Sequence, residues 1–275
     1  MAKTRLDVLL VEQGYFPSRE QARRSIMAGE VFVNGVREDK AGTGFDPKKV
    51  ETIEVKGDKL PYVSRGGLKL EKALHVFAID LEGCVCLDIG ASTGGFTDCM
   101  LQAHAKKVYA VDVGYGQLAY ALMRDARVVS LERTNFRYLE ENAIEDAIDF
   151  ATADVSFISL SKILPAAVKF LKKEARMVCL VKPQFEAGRD KVGRHGVVRS
   201  KEVHRDVITK VIDAARENGF CVEGLEFSPV TGPMGNIEYL LFLRFGSYGD
   251  GNELHFTTEQ INRTTDAAWE HFGRK

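Results

Sequence analysis

The stretch CVCLDIGASTGGF, residues 84–96, decides how the rest of the chain is read. Val85–Ile89 is apolar except for Asp88, the pattern of a short strand buried on both faces. It runs into a turn, Gly90-Ala91-Ser92-Thr93-Gly94, and then a helix predicted to start near Gly95. Strand, glycine-rich turn and helix in that order open a doubly wound α/β sheet, in which ligands sit beyond the C-terminal strand ends. Glycines there let a ligand approach the backbone closely. The spacing Gly90-x-x-x-Gly94-Gly95 is not G-x-G-x-x-G, and no Gly-Lys-Ser/Thr follows, so dinucleotide and P-loop readings fit poorly.

Downstream, the same alternation repeats. Val108–Val111 reads as a strand ending in Asp112, 24 residues after Asp88, where a carboxylate suits ribose hydroxyls. Val128–Leu131 is a third strand, with Glu132 and Asn135 just beyond it, where contacts to a base edge arise. Strand Phe150–Ser156 is followed by a predicted helix over 160–173. Strand Met177–Val181 ends in Lys182-Pro183-Gln184-Phe185-Glu186, and residues 187–200, rich in Gly and Arg, read as a mobile loop. A helix over 202–218, strands Cys221–Phe227 and Glu238–Phe245, and a helix over 258–272 complete the pattern. The expected count is seven strands with helices between them.

Upstream lies a smaller module. Leu6, Leu9 and Leu10 fall at helical spacing and Gly14 ends the helix. Ser18 and Gln21 form a capping-box pattern before a second helix that ends near Ala28. Arg19, Arg23 and Arg24 give that helix a cationic face. Val31–Val33 then alternates into Asn34-Gly35, a hairpin-turn signal, and a further short strand fits Thr52–Val55. Residues 61–64, with Pro61, read as a linker. The expected division is therefore 1–60 and 65–275. Gly66-Gly67 is costly inside a helix, so the pair marks a place where the backbone passes close to something, with Lys69 directly after it.

Composition limits the partners. Of 275 residues, 38 Lys and Arg against 39 Asp and Glu leave a net charge of −1, so any nucleic-acid contact must come from local charge. No apolar run approaches the ~20 residues needed to cross a bilayer. The N-terminal apolar stretch carries charges and is not a secretory signal. The five cysteines show no C-x-x-C or zinc spacing, and Cys84, Cys86 and Cys179, in strand-like apolar runs, read as small buried side chains of a cytoplasmic protein with no metal requirement. His104, His195 and His204 are isolated and read as surface or loop residues.

Two resemblances sharpen this. RLDVLLVEQGYFPSREQARRSIMAGEVFVNGV, from Arg5, resembles the S4 domain, a small α+β RNA-binding module. The resemblance implies RNA contacts from Arg5, Arg19, Arg23 and Arg24, with Arg65 just beyond it. Guanidiniums suit that role because they pair with phosphates through two bonds and stack on bases. The set Asp88-x-Gly90…Gly94-Gly95-Phe96…Asp112 resembles class I S-adenosylmethionine methyltransferases. It implies a Rossmann-like seven-stranded sheet and a cofactor held by Asp88, residues 90–96 (Gly90, Ala91, Ser92, Thr93, Gly94, Gly95, Phe96), Asp112, Glu132, Asn135 and Asp154.

Lys69, Asp154 in ADVSF, Lys182 in LVKPQFE and Glu238 in NIEYLLF are distant in sequence. Asp154 and Lys182 follow strand C-terminal ends, and Glu238 begins the last strand. If that strand is antiparallel, all four can converge on one edge. They match the Lys-Asp-Lys-Glu tetrad of FtsJ-type ribose 2′-O-methyltransferases, and the whole chain is similar to the TlyA, or haemolysin A, family. That resemblance implies methyl transfer from S-adenosylmethionine to a cytidine 2′-hydroxyl of ribosomal RNA, in ribosomal subunits. On that reading Lys182 meets the 2′-oxygen as base or as cation. A nearby Lys69 lowers its pKa and the two carboxylates raise it, and sequence does not rank these effects. The competing readings are a non-enzymatic RNA-binding assembly factor, a membrane-active haemolysin and a pseudouridine synthase. The last conflicts with LDIGASTGGF, and the haemolysin reading lacks any membrane-spanning pattern.

Overall fold

The computed structural model describes residues 3–16, 18–27, 29–56, 60–193, 195–246 and 256–274; the side chain of Arg24 and all of Ala28 lie outside the described residues. The chain forms two compact units, Met1–Leu60 and Pro61–Lys275.

In the smaller unit, helices Leu6–Glu12 and Arg19–Met27 pack over a sheet of Val31–Val33, Val36–Glu38 and Ile53–Val55. Leu6, Leu10, Ala22, Ile26, Val31 and Val33 form its core. The predicted hairpin is present: Val33 pairs with Val36, and both turn residues have positive φ, Asn34 at 52° and Gly35 at 77°. The Asn34 side chain is also used, accepting the N–H groups of Glu51 and Thr52 and donating to the Lys49 carbonyl. Ser18 Oγ accepts from the Gln21 N–H at 3.3 Å, half of the expected capping box.

The larger unit is built on seven strands: β1 (Val85–Ile89), β2 (Lys107–Val111), β3 (Val128–Leu131), β4 (Ile148–Ala153), β5 (Leu171–Val181), β6 (Phe220–Phe227) and β7 (Tyr239–Phe245). Their order across the sheet is β6-β7-β5-β4-β1-β2-β3. β1 to β5 run parallel to one another and β7 antiparallel to both β5 and β6. One face is covered by the Gly66–Val76 and Gly95–Gln102 helices through Leu70, Ala73, Phe96 and Met100. The other is covered by the Lys201–Glu217 and Thr258–His271 helices through Val207, Ile208, Val211, Ile261 and Trp269. No helix among the described residues is long and apolar enough to cross a membrane.

Two local expectations fail. The helix expected over 160–173 is only a 3-10 turn, Leu160–Lys162, and a single helical turn, Leu164–Ala167. Leu171 instead pairs with Ile148 and begins β5, which bulges before Arg176, with Glu174 at φ 65°. Strand pairing overrides the helical propensity of the Lys- and Glu-rich segment. His204 is not at the surface: it is fully buried on the inner face of its helix, beside Val207, Ile208 and Val211.

Candidate active site

The register of the sheet builds the site. Ile89 of β1 pairs with Ala153 of β4, so Gly90 and Asp154 leave the sheet side by side. The Asp154 N–H donates to the Ile89 carbonyl, and a Cβ on Gly90, whose φ is +87°, would meet the Asp154 carbonyl at 2.7 Å. Val181 pairs with Tyr239, and because β7 is antiparallel, Lys182 and Glu238 emerge at the same edge.

Lys69 arrives from the opposite direction, on a helix that starts at Gly66. A Cβ on Gly67 would fall 2.2 Å from the Tyr62 ring, and one on Gly95 would fall 2.3 Å from Ser64 Oγ and 2.8 Å from the Gly67 nitrogen. The two glycine pairs therefore let the Gly66–Val76 and Gly95–Gln102 helix starts touch backbone to backbone. That close passage carries Lys69 into the site.

The four charged groups form one relay. Lys69 Nζ lies 2.7 Å from Glu238 Oε2 and 3.5 Å from Asp154 Oδ2, and Lys182 Nζ lies 2.5 Å from Asp154 Oδ1. Lys182 also donates to Ser156 Oγ at 3.1 Å. Lys69, Lys182 and Glu238 are buried, while Asp154 keeps some exposure. Two ammoniums against two carboxylates leave the cluster neutral, which makes its burial tolerable. Burial alone would pull the Lys69 pKa down, but Asp154 and Glu238 outweigh it and the pKa ends raised. Burial likewise pushes Asp154 up, and Lys69 and Lys182 bring it below its ordinary value. The Lys69–Asp154 pair thus stays charged across neutral pH.

The glycine turn is held from beneath and across its mouth. Asp88 is fully buried and faces inward: Thr97 Oγ1 donates to one oxygen at 2.7 Å and Thr152 Oγ1 to the other at 3.0 Å. Burial raises its pKa to about 6 despite those bonds. Asp112, half-buried, accepts the Ser92 N–H at 2.8 Å and the Gly114 N–H at 2.7 Å. Glu132 accepts the Gly116 N–H, and the exposed Asn135 caps the Phe136–Tyr138 turn by accepting the Arg137 N–H. Ala91, Gly94, Gly95 and Phe96 are buried or nearly so, and Ser92 has positive φ, 50°. Sequence reasoning missed Thr97, Thr152 and Ser156, whose hydroxyls carry no spacing signal. It also missed the setting of Phe157, which has φ 63°, is 90% exposed and sits with its ring 4.9 Å from that of Phe185.

In the smaller unit the arginines divide. Asp7 is fully buried and is bound by Arg5 at 3.0 Å and Arg19 at 2.9 Å, which together hold its pKa near 2. Both guanidiniums remain more than half exposed. Arg23 is exposed on the same helix, and Arg65, in the larger unit, is exposed at the start of the Gly66–Val76 helix. Among the described residues no group of three or more His, Cys, Asp or Glu could hold a metal ion.

Residues 62–245 match the FtsJ-like methyltransferase family and residues 4–49 the S4 domain. The chain is 51% identical over 268 residues to YqxC of Bacillus subtilis, covering 97% of this chain and 94% of that one. It is 45% identical over 242 residues to the 16S/23S rRNA (cytidine-2′-O)-methyltransferase TlyA of Mycobacterium tuberculosis, covering 88% and 90%. A solved structure from Streptococcus thermophilus, described as a candidate hemolysin, superposes with a TM-score of 0.79 at 49% identity and covers 99% of this chain and 98% of its own. Both the fold and these relatives lead to one assignment: the chain belongs to the TlyA, or haemolysin A, family of S-adenosylmethionine-dependent FtsJ-like methyltransferases with an N-terminal S4 domain.

Proposed function

We propose that the protein transfers a methyl group from S-adenosylmethionine to the 2′-hydroxyl of a cytidine in ribosomal RNA, within a ribosomal subunit and in the cytoplasm. The observation that carries this is the buried Glu238–Lys69–Asp154–Lys182 relay beside the Gly90–Gly95 turn. The division of labour follows the two units: Met1–Leu60 docks RNA through Arg5, Arg19, Arg23 and Arg24, and Pro61–Lys275, into which the expected linker 61–64 is packed, carries out the transfer, with Arg65 contacting RNA near its start.

The donor set fits the cofactor. Asp112 and Glu132 place carboxylates beyond β2 and β3, where ribose hydroxyls are accepted, and Asp154 offers negative charge to a sulfonium. Residues 90–96 supply a backbone cradle, and Asn135 lies at the far rim. Asp88, with both oxygens taken by threonine hydroxyls, acts by bracing that cradle. When bound, S-adenosylmethionine supplies an electrophilic methyl that needs no further activation.

The protein's task is then to hold an oxygen in line and to stabilise the charge it develops. Lys182 has three N–H donors, and two are committed to Asp154 and Ser156. The third is left for the acceptor oxygen, which it stabilises as the hydroxyl proton passes to water and the methyl leaves its sulfur. Lys69 fixes the far oxygen of Asp154 and is itself fixed by Glu238. Phe157, next in sequence to the Ser156 that Lys182 holds, offers an exposed aromatic face suited to stack an unpaired base.

The test supplies labelled S-adenosylmethionine and ribosomal subunits from a strain lacking the modification, and maps the label by mass spectrometry. Label on a cytidine 2′-oxygen is expected. Lys182→Ala should lower kcat at least a hundredfold, in line with the loss of one charge-stabilising donor, while S-adenosylmethionine still binds in calorimetry. Unlabelled RNA, or a Lys182→Ala variant at wild-type rate, overturns the reading.

A further inference from the structure

Glu238 lies between two residues that both reach the same point of another segment. Asn236, two positions before it, is 2% exposed; its Oδ1 accepts the Val198 N–H at 3.1 Å and its Nδ2 donates to the Gly196 carbonyl at 2.8 Å. Tyr239, one position after it, is fully buried and its hydroxyl lies 2.8 Å from His204 Nδ1. His204 Nε2 lies 3.2 Å from the Val198 carbonyl. A carbonyl only accepts, so Nε2 carries the proton and Nδ1 accepts from Tyr239. Both backbone groups of the buried Val198 are therefore taken by side chains, one leading back to each side of Glu238.

The turn before Glu238 is closed by the same residue. The Gly232 N–H donates to the Asn236 carbonyl at 2.9 Å, and a Cβ on Gly232 would meet Glu238 Oε1 at 2.6 Å. The Ser228 N–H donates to the Glu238 carbonyl at 2.9 Å. Glu238 has no latitude of its own: it is 1% exposed and holds Lys69 at 2.7 Å. A rotation of its backbone would move the carboxylate away from Lys69 and so loosen Asp154 and Lys182.

From this geometry we infer that Asn236 is a positioning residue for methyl transfer, acting through Glu238 by locking the Gly232–Asn236 turn to the Gly196–Val198 segment, with His204 and Tyr239 as the second arm of the clamp. The inference rests on the tetrad reading above. Asn236 bonds to Gly196, Val198 and Gly232 and to neither lysine of the relay, so its route to the reacting groups runs through Glu238.

The test compares full-length wild type, Asn236→Ala, Glu238→Gln and the double variant, with labelled S-adenosylmethionine and unmodified ribosomal subunits. Asn236→Ala should lower kcat by roughly tenfold to a hundredfold, the range expected for a misplaced group. KM for the subunit and the dissociation constant for S-adenosylmethionine should stay within about twofold of wild type. The double variant should be no slower than Glu238→Gln alone, because the clamp has nothing left to position. If Asn236→Ala melts below the assay temperature, Asn236→Asp, which keeps an acceptor for the Val198 N–H, is judged by the same criteria. An unchanged kcat, a loss confined to KM or cofactor binding, or losses that multiply in the double variant overturn the inference while leaving the tetrad standing. Glu238→Gln at wild-type rate overturns the tetrad reading and the inference with it.

Discussion

At the scale of single residues, two buried titratable groups make stability depend on pH in opposite directions. Burial raises the Asp88 carboxyl from 3.8 to about 6, so its contribution is full below pH 3.8 and is lost as pH rises through about 6. That displacement is worth roughly 3 kcal/mol. His204 is buried neutral, with its pKa lowered to about 4 by burial, so its contribution is full above pH 6.5 and is lost as pH falls toward 4. Asp88→Asn removes the first penalty. Relative to wild type, the variant should gain up to about 3 kcal/mol between pH 4 and pH 8 in denaturant melts. A wild-type-to-variant difference that ignores pH would show that Asp88 is not destabilised by its burial. Asp7 works the other way: Arg5 and Arg19 hold it near 2, so its ion pairs persist above pH 3.8 and are lost as pH falls toward 2. These three residues are legible as types, but their settings are not. Asp88 reads as a ligand group until Thr97 and Thr152 are seen on its oxygens, and His204 reads as isolated until its helical phase with Val207, Ile208 and Val211 is traced inward.

At the scale of elements, the contact between the Gly66–Val76 and Gly95–Gln102 helix starts sets where Lys69 ends. The sequence signals a close approach through two unfavourable glycines, and the structure identifies what approaches: Tyr62, Ser64 and the partner glycine pair. Gly67→Ala would drive a methyl into the Tyr62 ring, whose hydroxyl is itself tied to Glu71 at 2.9 Å. Such overpacking costs about 1–3 kcal/mol. A lowered thermal midpoint is expected, together with a reduced kcat, because Lys69 lies two residues along the same helix. A Gly67→Ala enzyme with native melting and native rate would remove this contact from the account of the site. The β5 strand makes the contrasting point. Its first half reads as helix from local propensity and folds as strand because Ile148 offers a partner, which no local window contains.

At the scale of the whole molecule, the net charge of −1 hides a local arrangement, since Arg19 and the exposed Arg23 share one helix and Arg19 joins Arg5 on one buried aspartate. RNA binding through that face should weaken steeply with salt, because each neutralised phosphate releases counterions. An Arg23→Glu/Arg24→Glu variant should lose RNA affinity in filter binding while S-adenosylmethionine still binds the other unit. Unchanged RNA affinity would place the docking surface elsewhere. Asp7→Asn tests the same face from within: without the buried carboxylate, Arg5 and Arg19 lose their anchor, and the smaller unit should melt at lower temperature by calorimetry at pH 7.

The order of the seven strands and the glycine turn were determined by sequence alone, because periodicity and glycine placement are local properties of a chain, and the four candidate charged residues by their places near strand ends together with a family resemblance. What only the tertiary structure decided is which of those residues meet. An antiparallel β7 brings Glu238 beside Lys182, and glycine-to-glycine contact delivers Lys69. Asn236 and His204 converge on Val198, and the carboxylate of Asp88 is turned onto Thr97 and Thr152. The physical reason is that an ion pair across 169 residues is fixed by sheet register and helix packing, and neither leaves a trace in the spacing of the residues it joins.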